Sequence, residues 1–248
     1  MRRPLAAVAL CLVLVLAGCS LPGGSSGVEL TAENAPPGVS AESGTLDDAD
    51  ALLAAHNESL VASGFVTEVR TNATLLRNGE PRQVRRTQVV RAEPGLVEYN
   101  NTVLNPGSRF DVWGNSSVQA VRLQARGDEQ YSTGEPQPAR TLTGTTLLSR
   151  YLAAGNWSVT NATMRGEEPV FTLRSSTLPS ETNALPENAT DLREYGAVVV
   201  VDSEGRIRYF EATGTYTLDG TEASFTISHR VVSEGPAVDR PPWVDEAL

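Results

Sequence analysis

The architecture of this chain follows from residues 65–92, which read FVTEVRTNATLLRNGEPRQVRRTQVVRA. Before Asn78-Gly79 the side chains alternate with a period of two, and one face carries Phe65, Thr67, Val69, Thr71, Ala73 and Leu75. This alternation is typical of a strand with one buried face, and Asn-Gly is the strongest short hairpin signal. The pattern therefore predicts an antiparallel hairpin, with 82–92 as the returning strand.

The same strand pattern continues to the C-terminal region, and each run is bounded by Gly, Pro, Asn or Asp. Further strands are predicted at 96–104, 109–113, 118–125, 129–133, 157–164, 169–174, 195–202, 206–218 and 223–232. The polar segment 175–194 is predicted to be a loop. Many short strands joined by tight turns indicate one antiparallel sheet, and a sheet of that many twisted strands tends to curl.

Two segments have a helical period instead. Residues 46–63 follow Thr45, the predicted N-cap, and end before Gly64; residues 145–154 end before Gly155. The buried stripe of the second helix is predicted to be Leu147, Leu148, Tyr151 and Leu152. The expected fold class is α+β and β-rich: a strongly curved antiparallel sheet, or half-barrel, of about ten strands covered by two helices.

The N-terminal residues have the pattern of an export signal. Arg2-Arg3 precede an apolar or small run, 5–18, which is followed by Cys19. A helix over this run would rise only about 21 Å, whereas a membrane span needs roughly 20 apolar residues. The run is therefore predicted to be a signal-peptide h-region. The arginine pair fits either twin-arginine or general secretory export.

Residues 16–19, Leu-Ala-Gly-Cys, read as a lipobox, with cleavage before Cys19 and a lipid joined to its thiol. A plain leader with an accidental cysteine is the alternative. The predicted organisation is a signal peptide at 1–18, a flexible tether rich in Gly, Ser and Pro at 19–44, one β-rich domain at 45–235 and a tail at 236–248. We expect the domain to face outward from the cell membrane on a lipid anchor.

Composition excludes several classes of function. The chain has 30 acidic and 20 basic residues, a net charge of −10 and no lysine, a composition similar to that of high-salt archaeal proteomes. Such a surface repels nucleic acid, so a nucleic-acid partner is not expected. Cys11 leaves with the leader and Cys19 would be acylated. The mature chain then has no thiol for a disulfide or a metal, and no cofactor is predicted.

Asparagine is concentrated in glycosylation sequons. Seven of the twelve asparagines are followed by X-Ser/Thr, whereas the Ser and Thr content predicts about two by chance. Glycosylation at an exported surface is expected at several of them, although Asn-X-Thr also suits exposed strands and turns. The seven are Asn57, Asn72, Asn100, Asn115, Asn156, Asn161 and Asn188.

The sequence contains no catalytic or metal-binding motif. It has two histidines, His56 and His229, no Gly-X-Ser-X-Gly elbow and no calcium-loop spacing of acidic residues. A hydrolase would require His229 to cluster with a serine and a carboxylate in a cleft. A basic cluster at Arg82, Arg85, Arg86 and Arg91 is interpreted as paired surface charge, or as a contact for anionic headgroups or glycans.

The order of these features resembles LolA/LppX-type lipoprotein carriers over roughly 45–235: a lipobox, a tether, a helix and a strand meander interrupted by a helix. The chain is also similar to a family of haloarchaeal lipoproteins of unknown function. That similarity rests on Pro36-Pro37-Gly38-Val39, on 50–56, on 200–205 and on Pro241-Pro242-Trp243. The carrier resemblance implies an apolar cavity for acyl chains between a curved sheet and its helices. This chain departs from the carriers in its many sequons and few aromatic residues.

We therefore expect a non-enzymatic binding protein for an apolar or amphiphilic ligand, with no expectation for its oligomeric state. The alternative is a structural or interaction module of the cell envelope without a small-molecule ligand. A continuous cavity of several hundred Å³ would favour binding, and a filled sheet–helix interface would favour the module. The candidate pocket walls, which would equally build an ordinary core, are Leu53, Leu60, Val69, Leu147, Tyr151, Val199 and Tyr209.

Overall fold

The computed structural model describes residues 27–77, 80–177, 185–186 and 189–248. The leader with Cys19, the first part of the tether, the Asn78-Gly79 turn and the Asn188 sequon lie outside the described residues. Within them the helices are α1 (Ala49–Ser63), α2 (Ala139–Leu142), α3 (Thr145–Leu152) and α4 (Val244–Ala247), and a 3-10 turn covers Pro94–Leu96. The strands are β1 (Phe65–Arg77), β2 (Glu80–Ala92), β3 (Glu98–Asn105), β4 (Ser108–Asn115), β5 (Gln119–Ala125), β6 (Asp128–Gly134), β7 (Ser158–Arg165), β8 (Glu168–Ser175), β9 (Ala189–Asp202), β10 (Ile207–Leu218) and β11 (Thr221–Glu234).

The described strands form one open antiparallel sheet in the order β6-β5-β4-β3-β2-β1-β11-β10-β9-β8-β7. The chain builds one half outward from β1 to β6, crosses the sheet through α2 and α3, and returns from the edge strand β7 to β11. Strand β11 then pairs with β1, which joins the two halves. The predicted fold class, a β-rich α+β fold with a single antiparallel sheet, is confirmed.

The first helix begins later than predicted, and its predicted cap is wrong. Asp48 is the N-cap, and its side chain accepts a hydrogen bond from the Ala51 amide at 2.9 Å. Thr45 instead forms an isolated antiparallel bridge with Ser158. Because residues 45 and 46 pair in extended form with the start of β7, the helix begins only beyond them.

The loop predicted at 175–194 is too long, because β9 already begins at Ala189. The first residues of β9 are mostly exposed and polar, so they lack the apolar alternation that identifies a strand. Asp191 and Glu194 have positive φ angles, and the pairing of β9 with β10 shifts register nearby. Irregular, solvated strand ends of this kind leave little trace in a single sequence.

The face of the sheet covered by helices carries two clusters of buried apolar side chains. The first packs α3 and the start of α1 against β8–β11, and the second packs Leu60 of α1 and Leu142 of α2 against β1–β4. The tail, 236–248, lies on the opposite face, where Val238, Trp243 and Val244 pack on Trp113 and Ala120. None of the helices in the described ranges has the length and apolarity needed to span a membrane.

Candidate functional site

A cavity of about 570 Å³ lies between the sheet and the helices α2 and α3. It covers strands β1 to β5, which belong to the half of the sheet that leads from β1 to the edge strand β6. Its volume falls within the roughly 300–1,000 Å³ typical of small-molecule sites. The apolar side chains of its wall include Val69, Val90, Val103, Phe110, Leu123, Leu142 and Leu147.

The strand register explains why these side chains meet. Val69 pairs with Gln88, which pairs with Val103; Val103 pairs with Phe110, which pairs with Leu123. Residues paired across antiparallel strands point to the same face. The five residues therefore form one row across β1 to β5, which we call the central row, and four of the five are apolar.

A chain of hydrogen-bonded amides closes one side of the cavity, and its middle member, Asn101, is buried. Gln88 donates to Asn101 Oδ1 at 3.1 Å, and Asn101 donates to Gln137 Oε1 at 2.8 Å. The Gln137 backbone amide donates to the Tyr99 hydroxyl at 2.8 Å. Burial raises the pKa of Tyr99, and the hydrogen bond from Gln137 partly offsets this effect. These bonds satisfy polar groups that would be costly to bury alone, and they hold the segment before α2 against the sheet.

The Tyr99 ring needs a glycine beside it. Tyr99 pairs with Gly114, and a Cβ at residue 114 would lie 2.4 Å from the ring and hydroxyl of Tyr99. Any other residue at position 114 would therefore displace Tyr99 and its bond to Gln137.

Two buried histidines lie behind the start of α3. His56 Nε2 and His229 Nε2 each contact the Thr143 carbonyl oxygen at 3.2 Å, and the rings meet edge to face with centroids 5.6 Å apart. The Ile207 amide donates to His56 Nδ1 at 3.1 Å, so the proton of neutral His56 resides on Nε2. The next residue, Gly144, has φ +82°, and a Cβ there would lie 2.7 Å from the His229 ring.

Both histidines are held neutral. Burial disfavours the imidazolium form and, with a smaller contribution from the nearby His229, lowers the pKa of His56 to about 3, against the opposing effect of its bond to Thr143. Burial likewise lowers the pKa of His229 to about 4, against the opposing effect of its bond to Thr143. Among the described residues, no serine or carboxylate is hydrogen-bonded to either ring. The pair therefore acts as a buried support for the α2–α3 junction.

The structure brings two of the seven candidate pocket residues to the cavity, Val69 and Leu147. Leu53, Tyr151 and Val199 belong to the first core cluster, and Leu60 belongs to the second. Tyr209 is half-buried on β10 and donates to Glu211 Oε2 at 2.7 Å. A role for any of the seven in ligand binding stays a prediction.

Sequence reasoning missed most of the cavity wall, including Val103, Phe110, Leu123 and Arg86. The period of two places these residues in strands, but only the pairing register and the position of the helices identify the part of the sheet that is left unfilled. The available signal is Arg86, which belongs to the basic cluster predicted from the sequence. The structure divides that cluster: Arg82 pairs with Glu80 at 2.7 Å, and Arg86 lines the cavity.

The described sequons fall into two groups. Asn72, Asn156 and Asn161 are exposed, on β1, before β7 and on β7. The side-chain amides of the remaining three are hydrogen-bonded within the protein. Asn57 accepts from Thr143 Oγ1 at 2.9 Å, Asn100 donates to the Asp239 carbonyl at 3.0 Å, and Asn115 accepts from two backbone amides of its own turn.

The described residues contain no group of three or more His, Cys, Asp or Glu side chains arranged to hold a metal ion. The three tryptophans are buried. Trp157 belongs to the first core cluster, and Trp113 of the sheet and Trp243 of the tail belong to the cluster between these two segments.

Three solved structures are similar to the chain at low identity. Lipoprotein LppX of Mycobacterium tuberculosis is 14% identical with a TM-score of 0.36, over 76% of this chain and 97% of LppX. LprF of Mycobacterium bovis is 9% identical with a TM-score of 0.33, over 78% and 95%. A LolA superfamily protein of Nitrosomonas europaea is 7% identical with a TM-score of 0.26, over 79% and 96%.

No curated protein matches the chain significantly. Residues 4–247, nearly the whole sequence, match a protein family described as a family of unknown function, DUF7537. The chain belongs to the DUF7537 family.

Proposed function

We propose that this protein is an extracytoplasmic lipoprotein that binds an apolar or amphiphilic ligand, without catalysing a reaction on it, in the cavity under α2 and α3. The observation that carries the proposal is the central row of Val69, Gln88, Val103, Phe110 and Leu123, which faces about 570 Å³ of unfilled space. Small-molecule sites of this size typically combine apolar walls with a few polar groups, as this cavity does.

The size of the cavity limits the ligand. A methylene group takes about the volume of a water molecule, roughly 30 Å³. A space of about 570 Å³ therefore accommodates an alkyl chain of on the order of a dozen methylenes with a small headgroup. The proposed ligand is accordingly a single-chain amphiphile, or one chain of a larger lipid.

The proposed location rests on the sequence. The lipobox 16–19 and the Gly- and Ser-rich residues that follow support a lipid anchor on Cys19 and a tethered domain outside the cell membrane. A lipid anchor would hold the cavity near the bilayer from which an amphiphilic ligand would come.

The second candidate, an interaction module of the cell envelope, is favoured by the other half of the fold. There the sheet–helix interface is filled: Leu53, Tyr151 and Val199 have exposed fractions of 1%, 3% and 0%. Binding is the better-supported function because the face of β1–β5, beside the second core cluster, keeps a cavity of about 570 Å³ with apolar side chains in its wall.

Displacement of the neutral dye Nile red by n-alkanols tests the proposal. Cys19→Ser, which lacks the acylated thiol and is expected in the soluble fraction, allows the measurement without detergent. Each added methylene between octanol and dodecanol should tighten binding about fourfold, from about 0.8 kcal/mol per buried methylene.

Leu147→Trp, which fills the cavity from α3, should weaken binding at least tenfold. The matched control is Met164→Trp, on β7, where the side chain is 45% exposed and lies outside the cavity. Affinity that does not depend on chain length, or that survives Leu147→Trp, would contradict the proposed function.

A further inference from the structure

We infer that the ligand carries an anionic headgroup, a carboxylate or a phosphate, and that Arg86 and Arg150 bind it at the rim of the cavity. This inference rests on the proposed function and specifies the chemical class of the ligand. It follows from the charge of the cavity lining, from the register of β2 and from the face that α3 presents.

The charge of the lining is opposite to that of the protein. Acidic residues outnumber basic ones by 30 to 20 in the chain, yet the described residues that line the cavity include two arginines and no Asp or Glu. Low-dielectric walls strengthen the field of charges placed at the mouth of a cavity. The site is therefore electropositive within an acidic protein, and this arrangement favours an anion over a cation.

The register places Arg86 at the polar end of the cavity. Arg86 pairs with Thr71, and Thr71 pairs with Ile227. The central row lies two residues away along these strands. On β3 and β4, Asn105 and Ser108 form a pair that also lies two residues from the central row. Two residues of a strand cover about 7 Å. A ligand whose chain covers the central row would therefore bring its headgroup to Arg86.

Helix α3 repeats this arrangement on the opposite wall. Thr146, Leu147 and Arg150 line the cavity and lie within one turn of the same helix face, so an apolar side chain is again followed by a cation. Two guanidinium groups on opposite walls match the several acceptor oxygens of a carboxylate or phosphate.

Arg86 is available for this role. Among the described residues, no carboxylate forms an ion pair with it, whereas the nearby Arg82 pairs with Glu80. Arg85, the next residue, is exposed and does not line the cavity, because successive strand residues point to opposite faces. Arg85 therefore offers a matched control, with the same charge on the same strand.

Displacement of Nile red by dodecanoate, dodecyl phosphate and dodecanol tests the inference in the Cys19→Ser protein. Either anion should bind at least tenfold more tightly than dodecanol. Arg86→Gln should remove most of that preference, because it should weaken the binding of the anions far more than the binding of dodecanol. Arg85→Gln should leave both the preference and dodecanol binding as in the parent protein. A preference for one anion identifies the headgroup as carboxylate or phosphate.

Equal binding of the anions and dodecanol, or an equal effect of Arg86→Gln and Arg85→Gln, would overturn the anionic headgroup and leave the proposed function standing. Failure of all three compounds to displace the dye would refute the proposed function itself.

Discussion

The carbonyl oxygen of Thr143 shows how a single residue fixes the junction between α2 and α3. It accepts from two neutral imidazoles, one on α1 and one on β11, so a helix and a central strand are joined at the turn that starts α3. Each ring can remain buried at this junction only while it is uncharged. Two buried imidazolium ions would repel each other, and no carboxylate among the described residues lies beside them to offset the charge.

This arrangement predicts acid sensitivity. The folded pKa values of His56 and His229, about 3 and about 4, lie below the ordinary value of 6.5, so the unfolded chain binds more protons between pH 6.5 and 4. Stability is therefore fully present above pH 6.5 and falls as the pH drops. Urea denaturation between pH 6 and 5, above the range of ordinary carboxyl groups, should show uptake of about 1.7 protons on unfolding, or about 2.4 kcal/mol per pH unit.

A double variant, His56→Gln with His229→Gln, provides the control, because glutamine keeps a donor and an acceptor but does not titrate. Its unfolding free energy should vary little over the same interval. If the unfolding free energy of the wild type does not change with pH in this interval, the histidines titrate normally in the folded protein. This measurement on the wild type can be made even if the double variant does not fold.

At the scale of elements, the C-terminal segment stabilises the sheet from its outer face. Trp243 packs with Trp113 and Ala120, and the Arg122 guanidinium lies 5.2 Å from the centre of the Trp243 ring. The Val238 amide donates to Glu93 at 3.3 Å, and this bond anchors the start of the segment. The segment thus covers apolar side chains of β4 and β5 that would otherwise face water.

Trp243→Ala should lower the unfolding free energy by about 3 kcal/mol, since it removes a large, nearly buried side chain and a cation–π contact. Leu248→Ala is the control: Leu248 is 57% exposed, so the change should stay within about 0.5 kcal/mol. Chemical denaturation measures both variants. An unfolding free energy of Trp243→Ala equal to that of the wild type would mean that the segment contributes nothing to stability.

At the scale of the whole molecule, the cavity results from unequal coverage of one sheet. Helices α1 and α3 fill the face of β8–β11, whereas the end of α1 and the four-residue α2 cover only part of the face of β1–β5. Because β1 pairs with both β2 and β11, the filled half and the partly covered half belong to one continuous sheet.

The outer surface yields a prediction about glycosylation. Asn72, Asn156 and Asn161 are exposed, whereas Asn57 and Asn100 are half-buried and their amides are bonded to other segments. Glycans attach to the side-chain nitrogen, so glycopeptide mass spectrometry of the protein from its native cells should find sugar on the exposed group and bare Asn57 and Asn100. Asn161→Gln should remove one glycan mass, and sugar on Asn100 but not on Asn161 would contradict this assignment.

Local features could be predicted because they depend on neighbours in sequence. The alternation at 65–75 and the stripe that includes Leu148 and Tyr151 identify strand and helix without reference to distant residues. The N-cap at Asp48 could not be predicted, because the bridge from residue 45 to β7 delays the start of the helix. The start of β9 at Ala189 could not be predicted either, because its pairing with β10 defines it. The cavity is the least predictable feature: Leu147 and Leu148 are adjacent leucines of the same predicted stripe, yet Leu148 is fully buried in the core and Leu147 lines the cavity.

The sequence alone determined the β-rich fold class, the number of strand segments and the acidic character of the chain, because periodicity, turn residues and charge are local properties. Only the tertiary structure decided where the apolar space lies and that Arg86 and Arg150 share it, because strand order and helix placement arise from contacts between segments far apart in the chain. The role of an arginine on a strand cannot be assigned until the residues beside it on the neighbouring strands are known.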